Sequence, residues 1–551
     1  MFFLRIALLS ILSPWTLKAD QCPICLAYFH GRTEAPVIVK TQCCGHRFDL
    51  DCISRCFVDQ PIGSRRCAMC RQDPMPLVNL NTGESHPDTF FPDQAFYDAC
   101  VDGELNLVER SAAEGVNVNA ITHGDFTALM IASYRGHKAI VECLISAGAN
   151  LNAACETGAT ALFFAAQENH TDCVELLINA GADPKTRTRR RATPLFIAAE
   201  KGHTDCVKLL INAGADLNAT LSDGATPLCI AAEKGQTDCV KLLVNAGADL
   251  NATLSDGATP LFIAAEKGHT GCVKLLINAG ADPRTRTRRG ATPLFIAAAK
   301  GNIDCVKLLI NARADLNATA SDGTTPLFTA AEKGQTDCVK LLIIAGANLN
   351  AACEVGATAL FIATQNGNTD CVELLINAGA DPKTRTRRGA TPLFIAAAKG
   401  NIDCVKLLIN TRADLNATAS DGATPLFIAA QKGNTDCLKL LISAGADINA
   451  QPEDGATPLF IATQENHIDC VKLLNNAGAD LNTARIKDGA TPVFAAAVKG
   501  NTECVELLIN AGANLNIRRT SDGATPMFAA AAKGNSDCVK LLVNAGARQE
   551  R

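Results

Sequence analysis

Near the start of the chain stand eight residues of types and spacing that could hold metal. They form four short pairs: Cys22 and Cys25, Cys44 and His46, Asp49 and Cys52, Cys67 and Cys70. Zinc takes thiolate, imidazole or carboxylate ligands at tetrahedral angles, and a Cys-x2-Cys turn brings two sulfurs to that geometry. Four pairs imply two ions. Cys43 and Cys56 are the alternative donors within the same stretch. A disulfide framework would also account for so much cysteine, but it needs an oxidising compartment and leaves His46 without a role. At an apparent binding energy on the order of 10–16 kcal/mol per structural ion, a unit of this size is expected to need zinc to fold.

The series resembles the RING finger. That resemblance implies a cross-braced module over residues 21–73, with Cys22, Cys25, Asp49 and Cys52 on one zinc and Cys44, His46, Cys67 and Cys70 on the other. Asp49 departs from the family, which usually has Cys or His there. RING modules carry no nucleophile. They dock a ubiquitin-conjugating enzyme and hold its ubiquitin thioester in a reactive pose, so the rate comes from positioning. Of the family's contact positions, the aliphatic between the first two cysteines is Ile24 and the basic residue after the eighth ligand is Arg71. A guanidinium suits the bridging role because its donors form a rigid planar fork. The aromatic position holds Cys56 with Phe57 beside it, and the proline position holds Ala68. The resemblance implies a RING-type ubiquitin-protein ligase with two zinc ions. The alternative is a non-enzymatic scaffold in which zinc only folds the module.

The rest of the chain is repetitive. Threonine recurs at 127, 160, 193, 226, 259, 292, 325, 358, 391, 424 and 457, always 33 apart, and then at 491 and 525 after single insertions. Counting back from Thr127 reaches Gln94, where Ala99, Gly103, Leu107 and Val108 keep a faded version of the pattern. In one unit Thr193 can cap a helix that begins at Pro194, and Gly202 can end it in the left-handed conformation. Leu195, Ala198 and Ala199 form its packed side. A second helix starts near Asp205 and is expected to carry Val207, Leu209, Leu210 and Ile211 inward until Gly214. The unit resembles the ankyrin repeat in length, in its T-P-L start and in its G-A-D-x-N-A finish. The family usually has His after T-P-L, whereas this chain has Phe196, Phe262, Phe295 and Phe427.

The expected fold is therefore mainly α: an ankyrin-repeat solenoid over residues 93–551, with about thirteen clear repeats and a divergent N-terminal cap, joined by a linker at 74–92 to the cross-braced zinc module. No single unit can bury its apolar face, so stacking supplies the core. With 551 residues, 48% apolar, one Trp and three Tyr, the composition suits many small layers. The ankyrin family has no active site and presents its turn tips and inner helices as a concave surface for protein partners. A net charge of -5 gives no global attraction to nucleic acid or acidic membranes.

Three turns are strongly basic. Lys185, Arg187, Arg189 and Arg190 return as Arg284, Arg286, Arg288 and Arg289 and again as Lys383, Arg385, Arg387 and Arg388, each set 99 residues on. With layers about 10 Å apart, clusters three repeats apart act as separate cationic contacts for an acidic, extended protein, the other reading being a duplicated solvated turn. No aromatic interleaves the arginines, so base stacking has no support.

Of the 25 cysteines, 17 are scattered along the repeats, which points to small buried fillers in a reducing, cytosol-like compartment. Residues 1–20 pull the other way. Arg5, the apolar run Ile6–Leu12 and Leu17-Lys18-Ala19 resemble a secretory signal, too short to span a bilayer. In a secretory lumen, Asn-Ala-Thr at Asn218, Asn251, Asn317 and Asn416 would accept glycans. Export into another cell's cytosol would reconcile a signal with free thiols.

Overall fold

Threonine, proline and glycine set the helix boundaries of the array. Thr193 stands in extended backbone, and its side chain accepts the Phe196 amide at 3.1 Å. Pro194 follows at the first helical position, and Gly202, at φ 81°, donates its N–H to the Ala198 carbonyl. Each device satisfies a backbone group that the helix end would otherwise leave open. The same cap recurs at Thr292, Thr325, Thr391 and Thr424.

A computed structural model describes residues 92–548 apart from His123, together with 38–40, 47–49, Ile53, Phe57, Met75, 77–80 and 85–86. From Gln94 to Asn544 it contains 14 helix pairs, the first being Gln94–Asp102 with Leu105–Ala113. The expected cap and thirteen repeats are all present as helix pairs. The chain divides into two units, Met1–Ala264 with Lys274–Ala281, and Ala265–Val273 with Asp282–Arg551.

Within a pair, Leu195, Ala198 and Ala199 are fully buried, as their spacing predicts. The second helix, Thr204–Asn212, differs from expectation: Cys206, Val207 and Leu210 are buried, whereas Leu209 and Ile211 are only half-buried. Residues 206, 207 and 210 share one face at helical spacing, and 209 and 211 flank it. Cys206 thus takes an inward position that the apolar count alone assigns to its neighbours.

Successive layers are tied by polar links. In the second unit the Asn302 amide donates to the carbonyls of Ala265 (2.8 Å) and Glu266 (3.0 Å) in the preceding repeat. Asn368, Asn401 and Asn434 repeat this, and in the first unit His203 bonds the Gln167 carbonyl at 3.0 Å. The turns between repeats form fingers with their own ladder. Asn317 Oδ1 accepts the Asn348 amide at 2.8 Å, and Asn416 Oδ1 accepts the Asp447 amide at 2.9 Å.

Before the array lies a four-stranded antiparallel sheet: β1 (Ile38–Lys40), β2 (Arg47–Asp49), β3 (Leu77–Asn79) and β4 (Ser85–His86), in the order β2-β1-β3-β4. Val39 pairs with Asn79, and Leu77 is fully buried. Leu77–Asn79 and Ser85–His86 fall within the expected linker at 74–92 and pair as strands of this sheet. Strands of two and three residues are too short to show a period in the sequence.

Candidate functional site

In the N-terminal module the hairpin places the candidate ligands along the chain. The Lys40↔Arg47 pair closes the connection that contains Cys43, Cys44 and His46, and Asp49 ends β2 opposite Ile38. In the chain, the second candidate pair therefore precedes β2 and the third begins at its last residue. The donor set of thiolates, one imidazole and one carboxylate also fits zinc. Cys22, Ile24, Cys25, Cys44, His46, Cys52, Cys67, Cys70 and Arg71 lie outside the described residues, as do the Asp49 side chain and residues 1–20.

Ile53 and Phe57 are both helical and both fully buried. A ring with no exposed surface is a core contact. In this conformation Phe57 does not present its ring to a partner, which leaves Ile24 and Arg71 as the sequence-derived docking pair.

The array offers a different kind of site. In the basic fingers exposure alternates: Lys185, Arg187 and Arg189 are exposed, while Pro184, Thr186 and Thr188 are half-buried. The same alternation runs through Arg284, Arg286 and Arg288 and through Lys383, Arg385 and Arg387. Arg190, Arg289 and Arg388 are exposed as well. The central arginine of each finger also has an internal task. Arg187 Nη2 lies 3.3 Å from Asp216 Oδ2, Arg286 Nη1 donates to the Thr319 carbonyl at 2.9 Å, and Arg385 Nη1 donates to that of Thr418 at 3.3 Å. The outer arginines are therefore the cleaner reporters of partner binding.

Two further arginines were invisible as site residues in the sequence. Arg485 lays its guanidinium over the Phe460 ring, 4.8 Å from the centroid, and forms a fork with Asp488 at 3.0 and 2.7 Å. Arg519 repeats this over Phe494 at 4.7 Å, paired with Asp522. The Arg485 bond holds the Asp488 carboxyl below its usual range. Both arginines occur in the fingers that carry the single insertions, which is the only sequence signal that marks them.

The array cysteines behave as fillers. Cys206, Cys338, Cys404 and Cys437 are free and buried, and burial pushes the Cys338 and Cys437 thiols up to about 11. A thiol held protonated is a poor nucleophile and a poor metal ligand. Among the described residues no group of three or more His, Cys, Asp or Glu is arranged to hold a metal, and no helix is long and apolar enough to cross a membrane.

Comparison with known proteins agrees with the array. A family profile described as ankyrin repeats in three copies matches overlapping segments from 96–188 through 475–551. No curated protein matches the chain. Among solved structures, the human ASB11 ankyrin repeat domain is 30% identical over 41% of this chain and 99% of its own, with a TM-score of 0.37. From its fourteen capped helix pairs and the profile that spans them, the chain belongs to the ankyrin-repeat family.

Proposed function

We propose that the protein is a RING-type ubiquitin-protein ligase whose ankyrin array binds the protein to be modified. The observation that carries the proposal is the four-pair ligand series in the sequence. Cys22, Cys25, Asp49 and Cys52 would hold one zinc, and Cys44, His46, Cys67 and Cys70 the other. The metal's contribution is to fold the module. Ile24 would dock the conjugating enzyme, and Arg71 would brace ubiquitin against it through its planar fork. The exposed outer arginines of the basic fingers supply contacts for acidic stretches of the substrate. Autoubiquitination of the zinc-loaded protein with a panel of conjugating enzymes tests the reading. Activity that disappears in Ile24→Ala supports it, and silence from zinc-loaded wild type rejects it.

The buried Phe57 ring, together with Cys56 and Ala68 at family contact positions, favours a second reading in which the module is a zinc-folded scaffold. Under that reading Ile24→Ala changes nothing in cells, whereas Arg189→Glu, Arg288→Glu and Arg387→Glu together abolish partner capture.

A further inference from the structure

The tips of successive fingers form a row along the second unit. Arg289, Asp322, Val355, Arg388 and Asp421 hold the same place, one residue before the glycine of each turn. In every one, that glycine N–H closes the turn on the carbonyl three residues back, at 2.8 to 2.9 Å. Backbone bonds then link each tip to the next. The carbonyls of Arg289, Asp322, Val355 and Arg388 accept the amides of Ser321, Glu354, Arg387 and Ser420 at 2.8, 2.9, 2.9 and 2.8 Å. All five tip residues are exposed, Val355 by 61%. Among the described residues, neither Arg289 nor Arg388 forms a side-chain hydrogen bond or ion pair.

Along the row the charges run positive, negative, neutral, positive, negative. Turned end for end, the same row runs negative, positive, neutral, negative, positive. Each tip therefore meets its opposite, and Val355 meets itself. The 99-residue period accounts for the arginines and aspartates but not for the centre. At the equivalent tips on either side stand Asp256 and Asp454, and a register centred on either would set two carboxylates face to face. Of these three tips only residue 355 is apolar.

We infer that this edge is a self-association surface, on which a second copy of the chain packs antiparallel with a two-fold axis at Val355. Arg289 then faces Asp421 of the second copy, Asp322 faces its Arg388, and the two Val355 side chains meet. The axis carries Glu354 and its copy to opposite sides of Val355. A two-fold contact is isologous, so every charge pairing occurs twice. At roughly 10 Å per layer the five tips span about 40 Å. A strip one turn wide lies at the small end of specific interfaces, below about 1,200 Å². Association is therefore reversible, and it is salt-sensitive because the pairs are exposed. The inference is independent of zinc and of the ligase reading.

Sedimentation equilibrium of the full-length, zinc-loaded protein at low and high salt tests it. Wild type is expected to dimerise at low salt and to dissociate as salt rises. Arg388→Asp and Asp322→Arg should each weaken dimerisation by about tenfold or more, because each sets like charges opposite one another twice. Both leave the turn with a residue that it already accepts, since Arg289 and Asp421 occupy the same position in fingers that close alike. Mixing the two variants should restore association to within about threefold of wild type, since each altered residue then faces the other. On oxidation, Val355→Cys should form an intermolecular disulfide above the wild-type background, whereas Asp421→Cys should not, because only residue 355 meets its own copy. A monomer under all conditions, association indifferent to both charge variants, or no recovery on mixing would overturn the inference. So would cross-linking of Asp421→Cys as readily as Val355→Cys.

Discussion

The N-terminal module and the ankyrin array solve the same problem in opposite ways. The module has strands of two or three residues and a small core that includes Ile53, Phe57 and Leu77. The array buries a Leu, a Val and several Ala in almost every layer, and Thr and Gly cap the first helix in most layers. A unit as small as the first is expected to depend on metal, whereas the second distributes its stability over neighbours.

The largest contrast should appear on removal of zinc. Chelation, or Cys67→Ser, is expected to unfold the module, since structural zinc contributes on the order of 10–16 kcal/mol. The helical circular dichroism of the array should hardly change. Thiol labelling separates the two regions in the same sample: the N-terminal cysteines should react quickly after chelation, and Cys338 and Cys437, whose thiols burial pushes up to about 11, slowly. Loss of array helicity on chelation would break the contrast.

Within the array, Leu375 is fully buried. Leu375→Ala should lower stability by about 2–5 kcal/mol, read as an earlier urea midpoint, with the module's zinc content unchanged. A smaller effect is expected from Asn401→Ala, which removes bonds to the Thr364 carbonyl at 2.7 Å and the Gln365 carbonyl at 3.3 Å. Leaving a carbonyl without its donor costs about 1–3 kcal/mol, less where water replaces it. Hydrogen exchange should rise most in the helices on either side of position 401.

The weakest effect concerns Arg485 and Asp488. The bond from Arg485 holds Asp488 below the usual carboxylate range. A depressed folded value means that this stabilisation is fully present above the unfolded value of about 3.9 and is lost as pH falls through the folded one. Exchange at the finger around Gly489 should therefore increase below about pH 4, and Asp488→Asn should remove that pH dependence.

Much of the array is legible because its signals are local. Thr193, Pro194 and Gly202 each impose a backbone geometry that the residue type dictates, and 33-residue spacing repeats them. Contacts between repeats are not legible in the same way. Asn302 reads as a turn residue until it is seen reaching carbonyls 36 and 37 positions back. Arg485 reads as one more charge in an irregular turn until it is seen over Phe460. Phenylalanine in place of the family's His signals packing, yet the ring's second use, as a platform for a guanidinium, depends on the next finger. In the module the ligand spacings are plain, whereas Leu77–Asn79 is hidden in a stretch too short for alternation to register. The burial of Phe57 shows that proximity in sequence to a contact position does not place a ring on the surface.

The account stands most directly on whether the proposed zinc module speeds ubiquitin transfer. A single-turnover assay would follow discharge of ubiquitin from a charged conjugating enzyme to free lysine, with zinc-loaded wild type, Ile24→Ala and Arg71→Ala side by side. Positioning by Ile24 and Arg71 predicts faster discharge with wild type, a rate near the enzyme alone with Ile24→Ala, and a reduced rate with Arg71→Ala. Discharge no faster with zinc-loaded wild type than without it, across the enzymes tried, would contradict the ligase reading and leave the ankyrin array as a scaffold.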